Sequence, residues 1–142
     1  MVKEIFKNRP LFNECIEALN AVVLPQEESD KMSILFQQMY PLTEWGKIDW
    51  EKIRLNRYIG CDQNKIIPVL KEPIKKPLDP AVYIEWSDAG LPIIQANLDK
   101  IITYFDDVTC VTFEKFIFNP QEGYIIEIRP GDNITVGIID NH

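Results

Sequence analysis

The sequence predicts an α+β fold in which amino-terminal helices precede a strand, a helix and a three-strand antiparallel meander. Apolar residues recur at helical spacing over residues 10–39, and they alternate with polar residues over residues 81–86 and again towards the carboxyl terminus. A chain of 142 residues has the usual size of one domain. We therefore expect one domain, residues 1–142, in three parts. These are a helical half (1–70), a proline-rich connector (71–80) and a strand-helix-meander half (81–140) whose helix packs on one sheet face.

Two amphipathic helices are predicted in the helical half. The first spans residues 10–24, where the apolar side chains form one stripe and the polar side chains lie opposite. The second has Ser29 or Asp30 as its capping residue and ends at Pro41, because proline cannot continue a helix. Residues 34–36 also fit a strand, but two antiparallel helices joined by a short polar loop are the favoured interpretation.

The pattern is mixed between the second helix and the connector. Over residues 43–60 a short helix, Asp49–Tyr58, competes with a loop and a short strand, and we favour the helix. Residues 66–70 are predicted to form an edge strand, because Pro68 cannot donate a hydrogen bond within a central one. The four prolines over residues 68–80 predict an extended connector.

The carboxyl-terminal half begins with the clearest pattern in the chain. Val82, Ile84 and Trp86 share one face of a predicted strand. A helix is predicted to begin at Leu91-Pro92, since proline suits a first helical position. The apolar stripe of this helix consists of Ile94, Leu98, Ile101 and Phe105. Such a stripe is suited to cover one face of the meander.

The meander is predicted from a return to alternating residues. Its first strand covers residues 108–113 and continues, with a bulge, through residues 116–118. Turns at 119–123 and 130–133 separate the second and third strands. The core-facing residues of these two strands are Tyr124, Ile126, Ile128, Ile134, Val136 and Ile138. One sheet face is then covered by the helix, and the other is expected to be partly free.

Negative charge is concentrated in the later part of the chain. Residues 1–76 contain 12 Lys and Arg against 11 Asp and Glu, a balance of +1, whereas residues 77–142 contain 3 against 11, a balance of −8. Because such a surface repels phosphates, we expect a cationic protein partner and neither nucleic acid nor a membrane. General solubility is the alternative explanation. No apolar run is long enough for a membrane span or a signal peptide, so a cytoplasmic protein is expected.

Signals for histidine, thiol or metal chemistry are weak. The only histidine is His142, which argues against histidine catalysis. Cys15, Cys61 and Cys110 have the spacing of neither a zinc site nor a disulfide framework, and we expect buried free thiols. We also expect no metal and no cofactor.

Paired carboxylates leave one enzymatic alternative, a small carboxylate-based hydrolase that uses Glu85, Asp88, Asp106 or Asp107. Such a hydrolase would hold two carboxylates about 5 to 10 Å apart in a concave pocket, whereas an inhibitor would present a flat or convex acidic patch. Adjacent acids belong more often to a solvated face. Asp106 and Asp107 are predicted to end a helix, where the helix dipole does not stabilise them and a cationic partner would.

The tryptophans have two interpretations. Trp45 and Trp50 lie among Glu44, Asp49 and Glu51, so they fit interface anchors with an acidic rim. Core packing is the more common role for both. Trp86 shares a face with apolar strand residues and is expected in the core.

Four segments of the carboxyl-terminal half resemble bacterial immunity proteins of contact-dependent growth inhibition systems. They are Tyr83–Pro92, Asn97-Leu98, Phe116–Pro120 and Gly123–Glu127. The resemblance implies a small, cytoplasmic, commonly acidic protein that neutralises one cognate toxin domain, often a nuclease, by binding it. These families have no catalytic signature, so the resemblance transfers no site residue.

The leading hypothesis is therefore a toxin-neutralising binding protein without enzymatic activity. Its acidic carboxyl-terminal half would cover the basic active-site cleft of a nuclease-like toxin, with charge speeding encounter and aromatic anchors slowing dissociation. The carboxylate-based hydrolase is the alternative, and an adaptor of unrelated function is a third. From charge and expected exposure, the candidate partner-binding residues are Asp88, Asp106, Asp107, Glu122, Glu44, Trp45, Asp49 and Trp50.

Overall fold

Helices and strands alternate irregularly along the computed structural model, which describes residues 8–139. The helices are α1 (Pro10–Leu19), α2 (Gln26–Met39), α3 (Ile66–Lys71), α4 (Leu98–Thr103) and α5 (Phe105–Thr109). The strands are β1 (Val22–Val23), β2 (Leu55–Gly60), β3 (Ala81–Trp86), β4 (Ile94–Asn97), β5 (Lys115–Asn119), β6 (Tyr124–Arg129) and β7 (Asn133–Ile138). The predicted α+β class is confirmed. Within the described residues, no helix is both long and apolar enough to cross a membrane.

The strands form one sheet in the order β1-β4-β3-β5-β6-β7-β2. Every neighbouring pair is antiparallel. A three-strand meander, β5-β6-β7, is therefore present, with its first strand at residues 115–119. Its flanks were not foreseen, because the helical half contributes both edge strands, β1 beside β4 and β2 beside β7.

One sheet face carries the larger core, into which α1, α3, α4 and α5 insert their apolar residues. Leu98 and Ile101 on α4 are fully buried there, as predicted from their spacing. Trp86 is also buried and packs edge-on against Phe12, with ring centroids 5.9 Å apart. The prediction that a helix covers this face is confirmed.

The opposite face is covered as well, so the prediction that it is partly free is wrong. Phe36 on α2 lies over the sheet, with its ring centroid 5.0 Å from that of Phe118 and 5.4 Å from that of Phe116. Tyr40 donates a hydrogen bond of 2.9 Å to the carbonyl of Tyr124. Ile48 and Ile53 complete this second core. The apolar residues that close this face lie in α2 and in an irregular segment.

Two predictions about the helical half are wrong. In place of a helix over residues 49–58, the chain forms one 3-10 turn at Trp50–Lys52 and then β2, since pairing with β7 outweighs local helix propensity. In place of an edge strand at residues 66–70, the chain forms α3. Pro68 fits there because it is the third helical residue, whose N–H has no partner within a helix.

Boundaries also differ from prediction in both helices of the helical half. α1 ends at Leu19 and not at residue 24, because Asn20 adopts a left-handed conformation (φ 51°) and residues 22–23 join the sheet. α2 begins at Gln26, before the predicted capping residues Ser29 and Asp30. The hydroxyl of Ser29 instead accepts a hydrogen bond of 2.9 Å from the Ile93 N–H.

The predicted helix after Pro92 is replaced by β4, α4 and α5. Ile94 pairs with Ile84 in the sheet, and the helix begins only after Asn97, whose side chain accepts a hydrogen bond of 2.8 Å from the Asp99 N–H. The predicted strand at 108–113 is also wrong, because α5 continues to Thr109. Regular pairing resumes at β5.

The cysteines differ in exposure. Cys15 is buried on α1, as expected, and burial raises the pKa of its thiol to about 12. Cys61 and Cys110 are exposed free thiols, so the expectation of burial is wrong for these two. Cys110 follows α5 and does not belong to a central strand.

Candidate functional site

An open groove of about 1210 Å³ lies between α1, α2 and the loop that follows β3. Its charged lining residues are all acidic: Glu14 and Glu17 on α1, Asp30 on α2, Glu85 on β3 and Asp88 in the loop. No lysine or arginine lines the groove within the described residues. We call this feature the acidic groove.

Glu85 provides the most enclosed carboxylate of the acidic groove. It occupies an outward position of β3, where alternation directs it away from the face that holds Ile84 and Trp86. Burial raises the pKa of the Glu85 carboxyl, and a side-chain hydrogen bond with Ser33 opposes this shift. Its buried Oε1 has no hydrogen-bond partner among the described residues. An acceptor therefore remains unsatisfied at this position.

Trp86 adds an unsatisfied donor to the lining of the acidic groove. Its side chain is 2% exposed, yet its indole Nε1–H has no acceptor in the described part of the chain. A buried indole N–H usually has a hydrogen-bond partner, so this position is unusual. Both the Glu85 Oε1 and the Trp86 Nε1 are buried, so neither atom is exposed to the groove.

Asp88 differs from Glu85 because it is already paired. Arg9 donates to it, with 2.7 Å between Nη1 and Oδ2, and the Gly90 N–H donates at 2.8 Å. These contacts lower the pKa of the Asp88 carboxyl, the bond from Arg9 contributing most. Asp88 is therefore ionised, and Arg9 offsets its charge at the rim of the groove.

Two aromatic side chains outside the groove lining are strongly exposed. Trp45 is 80% exposed and Phe113 is 84% exposed. Their loops are joined by an ion pair between the Lys47 ammonium and the Glu114 carboxylate. We call Trp45 and Phe113 the aromatic patch.

The other predicted residues near Trp45 have mixed environments. Glu44 is exposed, whereas Asp49 is half-buried and its Oδ2 lies 3.8 Å from the Lys52 ammonium. Trp50 is half-buried and donates a hydrogen bond of 2.8 Å from Nε1 to Glu127. Trp50 therefore has a structural partner, unlike Trp45.

The predicted acids of the carboxyl-terminal half do not converge on one site. Asp106 is exposed and Asp107 is half-buried, and both lie in the first turn of α5. The prediction that they end a helix is wrong, and the helix dipole favours acids at this position. Glu122 lies at the far end of the sheet, where it accepts a 3.1 Å hydrogen bond from the Asp79 N–H and is 3.7 Å from the Lys76 ammonium.

Of the predicted residues, the acidic groove therefore brings together only Glu85 and Asp88. Glu14, Glu17 and Asp30 were not foreseen as site residues, although their polar helical positions were visible in the sequence. Within residues 8–139, no group of three or more His, Cys, Asp or Glu side chains could hold a metal ion. The carboxylates line the groove without converging on one point.

The fold is that of a small α+β protein, and exposed aromatic side chains together with an acidic groove are typical of a surface that binds another molecule. A family model described as "CdiI immunity protein EcoliA0-like" matches residues 9–137. The chain belongs to this family of bacterial immunity proteins, as its resemblance to proteins of contact-dependent growth inhibition systems predicted. Family membership makes it a toxin-neutralising protein that binds a cognate toxin protein, and it indicates a non-enzymatic, inhibitory role. A comparison with curated proteins found no match.

Proposed function

We propose that this immunity protein neutralises a nuclease-like toxin by covering the toxin's basic active-site cleft with its acidic groove. The observation that carries the proposal is the groove lining, which contains five carboxylates, of which Asp88 is paired with Arg9 at the rim, and no described lysine or arginine. A nuclease binds phosphates through cationic side chains, and carboxylates compete for the same side chains. The proposed contact involves acids from both halves of the chain.

The shape of the acidic groove limits how the two proteins would meet. We expected an inhibitor to present a flat or convex patch, but this acidic surface is concave. A groove accepts a projecting segment, so lysine or arginine side chains on the rim of the toxin cleft are its proposed ligands.

Charge reversal tests the role of the groove. Glu14→Lys with Asp30→Lys replaces two exposed groove carboxylates, and it should slow association with the toxin about tenfold or more at low ionic strength. Glu72→Lys with Asp99→Lys is the matched control, because it makes the same change in net charge at exposed residues outside the groove. Surface-immobilised kinetics at two salt concentrations provide the measurement. Equal association rates for the two double variants would refute the groove as the contact.

Occlusion and the type of toxin need a separate experiment. A fluorescent oligonucleotide bound to a catalytically inactive toxin domain should be released when the immunity protein is added, because both ligands would need the same cationic cleft. Formation of a ternary complex would contradict occlusion even if the groove binds the toxin. A toxin domain that neither binds nor cleaves nucleic acid would contradict the nuclease assignment.

The hydrolase alternative has one observation in its favour. Glu85 and Asp88 line one concave groove, and their carboxyl pKa values are shifted in opposite directions, as in an acid-base pair. Titration of toxin activity distinguishes the two functions. An inhibitor should neutralise the toxin with a stoichiometric end point, whereas an enzyme would inactivate it at much lower ratios.

We further propose that the protein acts in the cytoplasm and binds neither nucleic acid nor membranes directly. A toxin that cleaves nucleic acid must be stopped where its substrate is found, and the groove carboxylates repel phosphates. Fractionation of cells, together with gel-shift and vesicle-sedimentation assays of the purified protein, would test these proposals. Recovery in the periplasm would contradict the location, and a shifted oligonucleotide or sedimented vesicle would contradict the partner assignment.

A further inference from the structure

We infer that the aromatic patch, Trp45 and Phe113, is a second contact with the toxin and that it determines the lifetime of the complex. The inference rests on the proposed function, because it takes the toxin as the partner that faces the acidic groove. It assigns an apolar contact to residues outside the groove. The toxin surface that it requires is an apolar pocket beside the basic cleft.

Trp45 and Phe113 are more exposed than the other large apolar side chains at the surface. Trp45 is 80% exposed and Phe113 is 84% exposed, whereas the other exposed large apolar side chains of the described chain are 39% to 57% exposed. Aromatic side chains bury roughly 150 to 250 Å² each in cores and interfaces, so two such exposed rings leave a large apolar area for a partner. Neither ring packs in either core of the folded chain.

Backbone hydrogen bonds and an ion pair hold this exposed pair in place. The Thr43 N–H donates to the Lys47 carbonyl at 2.7 Å, and the Gly46 N–H donates to the Thr43 carbonyl at 3.0 Å, which closes a turn around Trp45. Gly46 has φ 78°, a conformation that glycine adopts without strain. The ion pair between Lys47 and Glu114 then joins this turn to the loop that carries Phe113. Binding would therefore order little additional backbone.

The loop that carries Phe113 is hydrogen-bonded to the border of the acidic groove. Ser87, which lines the groove, donates to the Glu114 carbonyl from its backbone N–H at 3.2 Å and from its hydroxyl at 2.7 Å. Glu114 in turn is adjacent to Phe113 and bonded to Lys47. A single partner can therefore contact both features.

Charge favours the toxin over a second copy of this chain as the occupant. Two copies that met through the aromatic patch in a symmetric dimer would bring their acidic grooves towards each other. A basic toxin has no such repulsion. The two features would then act on different steps, because long-range charge affects association and desolvated aromatic anchors affect dissociation.

The experiment compares Trp45→Ala, Phe113→Ala and the double variant with the control Tyr104→Ala. Tyr104 is an exposed aromatic residue outside the aromatic patch, between α4 and α5, which pack on the larger core. Each patch variant should raise the dissociation rate of the toxin complex about tenfold or more, with little dependence on salt, while association changes less than about threefold. The control should leave both rates unchanged. Trp45→Phe should restore part of the lifetime.

Neither ring packs in a core, so the patch variants should fold like the parent protein. Their unfolding midpoints should match that of the parent, which separates a loss of binding from a loss of folding. Unchanged dissociation in the double variant would overturn the inference, and the groove reversal would then decide the proposed function separately. Sedimentation of the free protein gives a second test. A dimer that becomes monomeric in the double variant would assign the patch to self-association and overturn the inference as well.

Discussion

Three buried or partly buried charged side chains are stabilised to different degrees. Lys115 is 1% exposed, and it donates a 3.0 Å hydrogen bond to the Thr109 carbonyl at the end of α5, while burial lowers the pKa of its ammonium to about 8. Glu127 is 3% exposed and accepts from Trp50. Glu85 has one carboxylate oxygen without a described partner. It is therefore the least compensated of the three, and it lines the acidic groove.

Replacement of Glu85 by glutamine should stabilise the free protein at neutral pH. Because burial raises the folded-state pKa of the carboxyl above 4.5, the folded state binds more protons than the unfolded state between the two pKa values. The stability of the parent protein should therefore fall as pH rises through the folded pKa. Urea unfolding of Glu85→Gln should show a higher midpoint at pH 7 and almost the same midpoint as the parent below pH 4.5.

The control for this prediction is Glu28→Gln, which removes one exposed carboxylate outside the groove. It reports the effect of a lost exposed charge, together with any favourable interaction of Glu28 with the amino end of α2. A Glu85→Gln protein that is less stable than the parent at pH 7 would mean that the carboxylate makes a favourable interaction in the folded state.

At the scale of elements, α4 shows how a short helix is anchored to the sheet. It contains only residues Leu98–Thr103, and the Asn97 side chain caps its first turn. Leu98 and Ile101 are both fully buried against the sheet. An isolated helix of this length would not persist in water, so packing supplies its stability.

Truncation of Leu98 to alanine should therefore destabilise the fold strongly. Loss of a fully buried leucine side chain costs about 2 to 5 kcal/mol of unfolding free energy, because a cavity is added to the lost transfer energy. Urea unfolding would measure the cost. Lys100→Ala, an exposed change on the same helix, should shift the free energy by less than about 0.5 kcal/mol. A cost below about 1 kcal/mol for Leu98→Ala would contradict the packing of α4.

Element prediction succeeded where burial and periodicity agree. Tyr124, Ile126 and Ile128 alternate in sequence and are all buried on one sheet face. Element prediction failed around Cys110. The residues from 108 onwards alternate as in a strand, but Val108 also follows Phe105 at helical spacing, and both side chains are buried on α5. Short segments satisfy both periods, and tertiary packing decides between them.

At the scale of the whole molecule, the acidic groove depends on contacts that sequence patterns do not reveal. Glu14, Asp30 and Glu85 come from three separate elements, and only the sheet order brings those elements together. The charge balance indicated that the excess acid lies in the later part of the chain. It did not predict that acids of the helical half would share a site with Glu85. Phe113 was likewise assigned to a strand, and its exposure follows from the loop that replaces that strand.

Gly137 on β7 lies unusually close to residues of the helical half. A Cβ at this position would lie 2.7 Å from Trp50 Cζ3 and 3.0 Å from the Leu55 carbonyl oxygen. Gly137→Ala should therefore displace Trp50 or separate β2 from β7, at a cost of about 1 to 3 kcal/mol in unfolding free energy. Urea unfolding would measure the effect, with intrinsic tryptophan fluorescence, to which Trp50 contributes, as one probe. An unchanged midpoint and an unchanged emission spectrum would contradict this close approach.

The pairing of β2 with β7 also determines when the sheet can be completed during synthesis of the chain. The residues of β2 emerge from the ribosome well before those of β7. They therefore remain unpaired while α3, β3, β4 and the first meander strands are synthesised. Sheet completion must follow translation of nearly the whole described chain. A newly made copy therefore has its complete sheet only after β7 has emerged from the ribosome.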